Sequence, residues 1–369
     1  MGCPLRILHV VVNMNRGGAE TLIMNLYRNL DRSKVQFDFL TCKEGVFDEE
    51  IVALGGKVHR VPYVTDVGHT EYIKGLDTFF SSHQEYKVVH SHMDKMSGFV
   101  LRSAQKAGIP IRIAHSHSTS SEGGIAAKMY KWYAGNFILP CATHLLACSN
   151  TAAQWLFAGR ADMAKILKNG IECEEFSFSS KIRKQVREEL QLHQDTLVIG
   201  HVGRFAYPKN HSFLVDMFAQ LLLLEPNCIL LLAGDGPLRL QMEKKVEELD
   251  LRDSVKFLGI RNDINRLLQA FDVFVFPSIY EGFPVTLIEA QGAGLPCIIS
   301  DAVTKEVDLG MNLVEYFPLT DKRICIEKIK SVASRDLPRN MPDKALSKKG
   351  YDIKKTAELT QDFYLAVSR

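Results

Sequence analysis

Three absences narrow the reading of this sequence. No uninterrupted apolar run approaches the roughly 18 residues needed to cross a bilayer; even FAQLLLLEPNCILLLAG is broken by Glu225, Pro226 and Asn227. None of the eight cysteines (Cys3, Cys42, Cys141, Cys148, Cys173, Cys228, Cys297, Cys325) makes a Cys-x-x-Cys pair, and most lie inside apolar runs. They read as reduced core residues in a reducing compartment, which argues against a disulfide scaffold or a structural zinc site. Neither sign of charge dominates. With 45 basic and 43 acidic side chains the formal charge is +2, so the field of the whole molecule does not recruit nucleic acid.

The opening segment, MGCPLRILHVVVN, is apolar for too short a stretch to be a signal peptide and reads as a first buried strand. The expected location is the cytosol. At 369 residues the chain exceeds what one core accommodates, so two domains are expected.

Short Val/Ile/Leu-rich runs alternate with segments of helical period, the pattern of parallel strands covered on both faces. Strands are expected at 5–12, 35–40, 57–61, 87–91, 111–115, 143–148 and 165–168. The polar stretch SSKIRKQVREELQL at 179–192 interrupts the alternation and reads as a helix on a connector. The alternation then restarts with TLVIGHVG, CILLLAG, SVKFLG, DVFVFP and PCIIS. The expected fold class is α/β, with two doubly wound Rossmann-like domains at 1–180 and 181–349. A terminal helix follows at 350–369, expected to pack back toward the first domain.

In open parallel sheets ligands bind beyond the carboxyl ends of the strands. Four such positions carry unusual chemistry. Gly17 and Gly18 follow the first strand at a helix start, where bare backbone N–H groups admit a phosphate or sugar, although an ordinary tight turn also uses paired glycines. Gly203 to Asn210 follows TLVIGHV, and Arg204 and Lys209 in that loop suit one diphosphate, the first as a planar fork and the second as a compact charge. Glu281-Gly282-Phe283-Pro284-Val285-Thr286 leads into a helix bearing Glu289. Pro284 suits the first helical turn, Glu281 suits a sugar hydroxyl and Glu289 a ribose. Finally, His90-Ser91-His92 and His115-Ser116-His117 end two strands. Alternating histidines suit a metal, a sugar hydroxyl or plain burial; with no acidic cluster to complete a zinc set, the reading is no metal, and His117 is the favoured sugar contact.

Taken together these segments resemble family-4 retaining glycosyltransferases of the GT-B fold. The resemblance runs from GGAE at 17–20 through NGIE at 169–172, GRFAYPKN at 203–210 and LAGDGPL at 232–238 to EGFPVTLIEA at 281–290. Glu172 stands where the family often has Asp. The resemblance implies a cleft between the domains in which Arg204 and Lys209 bind the donor diphosphate. Glu281 and the backbone of Phe283 to Thr286 would hold the sugar and phosphate, and Glu289 the ribose. Gly17 and Gly18 would line the phosphate side, His117 would contact the donor sugar, and the backbone near Ile260 and Arg261 would read the base.

The resemblance is closest to bacterial enzymes of exopolysaccharide and capsule synthesis. It implies a nucleotide-diphosphate sugar donor, UDP by preference, a lipid-linked sugar acceptor, no cofactor and work at the cytoplasmic membrane face. Between Lys95 and Lys168 nine basic residues stand against Glu122 and Asp162, beside Tyr130, Trp132 and Tyr133. Such a surface suits anionic lipid or plain solvent. The rival activities are a sugar-nucleotide epimerase or phosphorylase of the same fold, a nicotinamide oxidoreductase, and a silent sugar-nucleotide-binding module. No Gly-x-Gly-x-x-Gly follows a strand, which argues against the oxidoreductase.

Overall fold

The computed structural model describes residues 3–121, 123–335, 339 and 345–368, so Glu122 lies outside the described residues. The chain divides into two compact units, Met1–Ile171 with Gly350–Arg369, and Glu172–Lys349. Residues 172–180, assigned above to the first domain, group with the second unit.

The first unit is built on seven parallel strands: β1 Leu5–Val10, β2 Val35–Thr41, β3 Val58–Arg60, β4 Val88–Ser91, β5 Ile111–Ser116, β6 His144–Ala147 and β7 Lys165–Ile166. Their order is β3-β2-β1-β4-β5-β6-β7. Alternate residues of β1 feed two cores, Leu5 and Ile7 into one and Leu8 and Val10 into the other, as side-chain alternation on a doubly covered sheet requires. The terminal helix Ile353–Val367 places Ile353, Ala357 and Tyr364 in the first of these cores. It approaches so closely that a Cβ on Gly170 would lie 2.8 Å from the Ile353 Cα.

All seven residues of β2 are buried, including Asp38. That charge is tolerated because its oxygens accept from Arg6 at 2.5 Å, from the Lys57 backbone N–H at 2.7 Å and from the Tyr86 hydroxyl at 2.9 Å. Against the cost of desolvation, these partners hold the Asp38 carboxyl below its ordinary pKa.

The second unit has six parallel strands: β8 Leu197–Val202, β9 Cys228–Ala233, β10 Val255–Gly259, β11 Val273–Phe276, β12 Cys297–Ser300 and β13 Val314–Phe317. Their order is β10-β9-β8-β11-β12-β13. Gly200 within β8 is required by packing, since a Cβ there would sit 1.9 Å from the Phe271 ring.

The helix expected within 179–192 is present at Ser180–Glu189, but it packs into the second unit. Val186 and Arg187 are fully buried. Arg187 donates to the carbonyls of Ala270, Gln194 and Thr196, and together with Arg183 it grips Asp272, at 2.7 and 2.5 Å. The cationic face that looks like a solvent face binds backbone carbonyls and one carboxylate, which is why charge alone misled.

In both sheets the strand order reverses beside the first strand, between β1 and β4 and between β8 and β11. At such a switch point neighbouring connections leave toward opposite faces and open a crevice at the carboxyl ends. Gly17–Gly18 stand after β1 and His90–His92 at the end of β4, the 203–210 and 281–289 segments stand after β8 and β11, and His115–His117 stands one strand further, at the end of β5.

Candidate active site

At the switch point of the second unit, the chain leaves β8 through Gly203 and enters a short 3₁₀ turn, Tyr207–Lys209, with Pro208 at its second position. Asn210 closes the turn in the left-handed region (φ 53°) and starts the helix His211–Leu224. This tight turn folds Lys209 back toward β11. Its Nζ lies 2.7 Å from the Glu281 Oε1 and 4.7 Å from the centroid of the Phe276 ring. Both charges are largely withdrawn from water, so removing either would leave the other buried without its counter-charge. A second tie joins the same loops, the Ile279 N–H donating to the Pro208 carbonyl at 2.8 Å.

Glycines make this geometry possible. A Cβ on Gly203 would meet the His201 Nε2 at 2.9 Å and the Lys209 side chain at 3.3 Å. Gly234, at φ 135°, lies against the Gly203 carbonyl, which a Cβ would approach to 2.1 Å. Beneath the loop, the His211 ring stacks on Phe205 with centroids 4.0 Å apart, and the His201 Nδ1 pairs with the Val275 carbonyl at 2.8 Å. Burial lowers the His201 pKa to about 4, keeping that ring neutral. Neither histidine stood out in the sequence, because a single His in an apolar run carries no distinguishing signal.

Arg204 is exposed at the carboxyl end of β8. On the β11 side, Gly282, Phe283 and Pro284 are buried. Pro284 is the residue before the helix Val285–Gly292, one position earlier than the first-turn placement expected above, and no side chain caps that helix. Its first N–H groups, at Val285 and Thr286, therefore face outward from the helix end with its partial positive charge. Glu289 lies one turn further in, and burial pushes its carboxyl up to about 7. After β10, Ile260 is exposed and the Arg261 guanidinium forks onto Asp263 at 2.7 and 2.8 Å.

At the switch point of the first unit, the helix Gly18–Asn29 also starts without a side-chain cap. Gly17 is crowded, since a Cβ would lie 2.2 Å from a Glu20 carboxylate oxygen, whereas nothing lies within 4 Å of the Cβ position of Gly18. Elsewhere the helices are mixed: Asn150–Phe157 and Lys322–Ala333 take side-chain caps from Ser149 and Asp321, whereas Arg239–Glu248 and Ile264–Ala270 have none.

The same end of this sheet gathers more histidines than the two His-x-His segments announce. His9, on β1, joins His90, His92, His115 and His117 in one group. The His92 Nδ1 lies 2.8 Å from the His117 Nε2 and the His92 Nε2 lies 2.9 Å from the His9 Nδ1. The His90 Nε2 lies 3.1 Å from the His115 Nδ1, and the His90 Nδ1 2.7 Å from the Tyr364 hydroxyl. Burial lowers all five pKa values, those of His9 and His117 to about 3, so the rings are neutral. Two triads, His9/His90/His92 and His92/His115/His117, keep their nitrogens within 4.8 Å of one another, close enough for a metal, although each ring already pairs with a neighbour.

The family models agree with this architecture. Residues 17–170 match the glycosyl transferase 4-like domain and residues 182–308 the glycosyl transferases group 1. The chain is 39% identical to glycosyltransferase EpsF of Bacillus subtilis, over 97% of this chain and 96% of that protein. It is 26% identical to the UDP-Gal:alpha-D-GlcNAc-diphosphoundecaprenol alpha-1,3-galactosyltransferase of Escherichia coli, over 98% and 97%. Among solved structures, Anabaena HepE in complex with UDP and glucose superposes with a TM-score of 0.79 at 20% identity, covering 98% of this chain and 99% of that one. With two parallel-sheet units, both family models and a relative aligned along nearly its whole length, the chain belongs to the family-4 glycosyltransferases of the GT-B fold.

Proposed function

We propose that the protein transfers a hexose or N-acetylhexosamine from a UDP-sugar to a lipid-linked sugar acceptor, with retention and without a metal ion. The observation that carries this reading is the Lys209–Glu281 pair, which ties the loops after β8 and β11 at the switch point of the second sheet. An ammonium has three N–H donors, so Lys209, while ion-paired with Glu281, has donors to offer a phosphate oxygen. Arg204, exposed at the end of β8 in the same loop as Lys209, supplies a second cation, and the uncapped helix at Val285 supplies backbone N–H groups.

In this reading the bond from the anomeric carbon to the diphosphate breaks as the acceptor hydroxyl attacks on the same face. The hydroxyl proton passes to the departing phosphate oxygen. Arg204, Lys209 and the helix end stabilise the charge that develops there. Glu281 accepts from a sugar hydroxyl and Glu289 from the ribose hydroxyls, while Gly203 and Asn210 shape the phosphate loop. The backbone at Ile260 and Arg261 meets the base. From the first unit, Gly17 and Gly18 serve the phosphates and His117 the donor sugar.

UDP and a UDP-sugar are bound by solved proteins of this fold, and a UDP-galactose donor with a diphosphoundecaprenol acceptor is named for the E. coli relative; both support this choice of substrates. No helix among the described residues is long and apolar enough to cross a membrane. Peripheral contact is supported by the helix Ile125–Gly135, which exposes Ile125 (81%), Met129 (66%) and Trp132 (63%) beside Lys128. Only Ala134 of this helix is buried, where its backbone lies against Gly98. An apolar stripe with adjacent lysines fits an anionic lipid surface.

The test is a thermal-shift screen of nucleotides and nucleotide sugars with and without EDTA. Stabilisation by UDP and UDP-sugars, unchanged by EDTA, is expected; stabilisation only by other nucleotides, or only with added divalent ion, would refute the donor assignment.

A further inference from the structure

We propose that His92 and His9 are positioning residues for His117, setting through a file of three imidazoles which nitrogen of His117 carries its proton. The inference rests on the proposed contact of His117 with the donor sugar.

The argument is one of hydrogen-bond accounting. A neutral imidazole has one N–H donor and one bare nitrogen acceptor. In the file His117–His92–His9 the two N···N contacts, 2.8 and 2.9 Å, each need one donor and one acceptor. The three rings must therefore carry their protons in the same sense, all on Nδ1 or all on Nε2, and a change at one end reverses the other. Both terminal nitrogens, the His117 Nδ1 and the His9 Nε2, lack a partner.

The surroundings of His9 choose the sense. Its ring is fully buried and lies 4.1 Å from the Phe37 ring and 5.7 Å from Phe39. An unpaired N–H is rarer in such a place than an unpaired acceptor. The lower-cost arrangement leaves the bare nitrogen on His9, walled in by aromatic rings, and puts the proton on the His117 Nδ1, which is buried without a protein partner and is satisfied when a donor-sugar oxygen reaches it. His117 then presents Nδ1–H, a donor suited to a sugar oxygen.

A second file takes the opposite sense. The Tyr364 hydroxyl is fully buried, and the His90 Nδ1 at 2.7 Å is its partner. If the phenol donates, His90 carries its proton on Nε2 and donates to the His115 Nδ1, leaving a single unsatisfied atom, the His115 Nε2–H, against two if the phenol accepts. If the phenol accepts, its own proton is left unpaired as well. One cluster thus holds two tautomer classes, Nδ1–H on His9, His92 and His117 and Nε2–H on His90 and His115.

Long-range ¹H–¹⁵N correlation spectra of the full chain labelled with ¹⁵N-histidine read these tautomers directly. The two classes are expected as assigned. His9→Phe, which does not touch His117, is expected to convert His117 to Nε2–H or to a mixture. His9→Asn, whose amide nitrogen stands near the position of Nδ1, is expected to restore Nδ1–H. Sugar transfer should follow: kcat falls about five- to tenfold in His9→Phe, the worth of one hydrogen bond, and recovers in His9→Asn, with UDP affinity unchanged in both. An unmoved His117 tautomer in a folded His9→Phe variant overturns the proposal, as does stoichiometric transition metal on the purified protein, or a tautomer change without any change in kcat. Transfer that is indifferent to His117→Asn instead marks failure of the donor-contact reading, while the tautomer pattern still tests the file.

Discussion

The two units place different chemistry at the same topological feature. At the switch point of the second sheet stand Arg204, Lys209, Glu281 and Glu289, charged groups with a tight ion pair among them. At that of the first stand five neutral imidazoles that pair chiefly with one another. A fold thus supplies a location, and the residues that follow its strands decide whether that location handles a dianionic leaving group or hydroxyls. The contrast matches the roles proposed above, charge stabilisation for the residues of the second unit and uncharged sugar contact for His117.

The largest effect should come from removing charge in the second unit. Lys209→Ala is expected to lower kcat about 10²- to 10³-fold, the scale of losing one preorganised charge-stabilising donor, whereas His117→Asn should cost at most about tenfold. Steady-state kinetics of both variants, with circular dichroism to confirm folding, would erase the contrast if the two losses were equal.

Glycines sharpen the comparison next. Gly234→Ala places a Cβ against the Gly203 carbonyl at a φ unfavourable to side chains, and should destabilise the protein by about 1–3 kcal/mol. Gly18→Ala, with nothing within 4 Å, should alter stability by less than about 0.5 kcal/mol while weakening donor binding. Denaturant melts and UDP-sugar titrations separate these outcomes.

A smaller effect concerns pH. The raised pKa of Glu289, about 7 against an ordinary 4.5, means the folded chain holds a proton that the unfolded chain releases between those values. Stability therefore falls as pH rises through that window, and Glu289→Gln should flatten the dependence. Donor binding runs the other way: a carboxylate accepts from both ribose hydroxyls, so UDP affinity should decline as pH falls below about 7 in the parent protein and stay level in Glu289→Gln. The smallest change in the purified enzyme is expected from Met129→Ser with Trp132→Ser. These should abolish flotation with phosphatidylglycerol vesicles and leave Tm and transfer to a soluble acceptor unaltered.

Much of the fold was legible because parallel strands buried on both faces must be apolar throughout; CILLLA and VFVF are such strands. Strand β13, VEYF, was not read, because three of its four residues are half-exposed and it lacks the continuous apolar run. Arg187 defeated the charge rule, since its partners are backbone carbonyls that no composition shows. At the site, individual residues were legible from their place after strands, but their partners were not. Lys209 and Glu281 are 72 positions apart and meet only because β8 and β11 are neighbours. His9, 83 positions from His92, looks in LRILHV like one more core residue.

The most direct test of the account is a crystal structure of the full chain with UDP or a UDP-sugar bound. The account predicts diphosphate oxygens within hydrogen-bond distance of the Arg204 guanidinium and the Lys209 ammonium, with the ribose on Glu289. A nucleotide bound elsewhere, with Arg204 and Lys209 both left in bulk solvent, would contradict it.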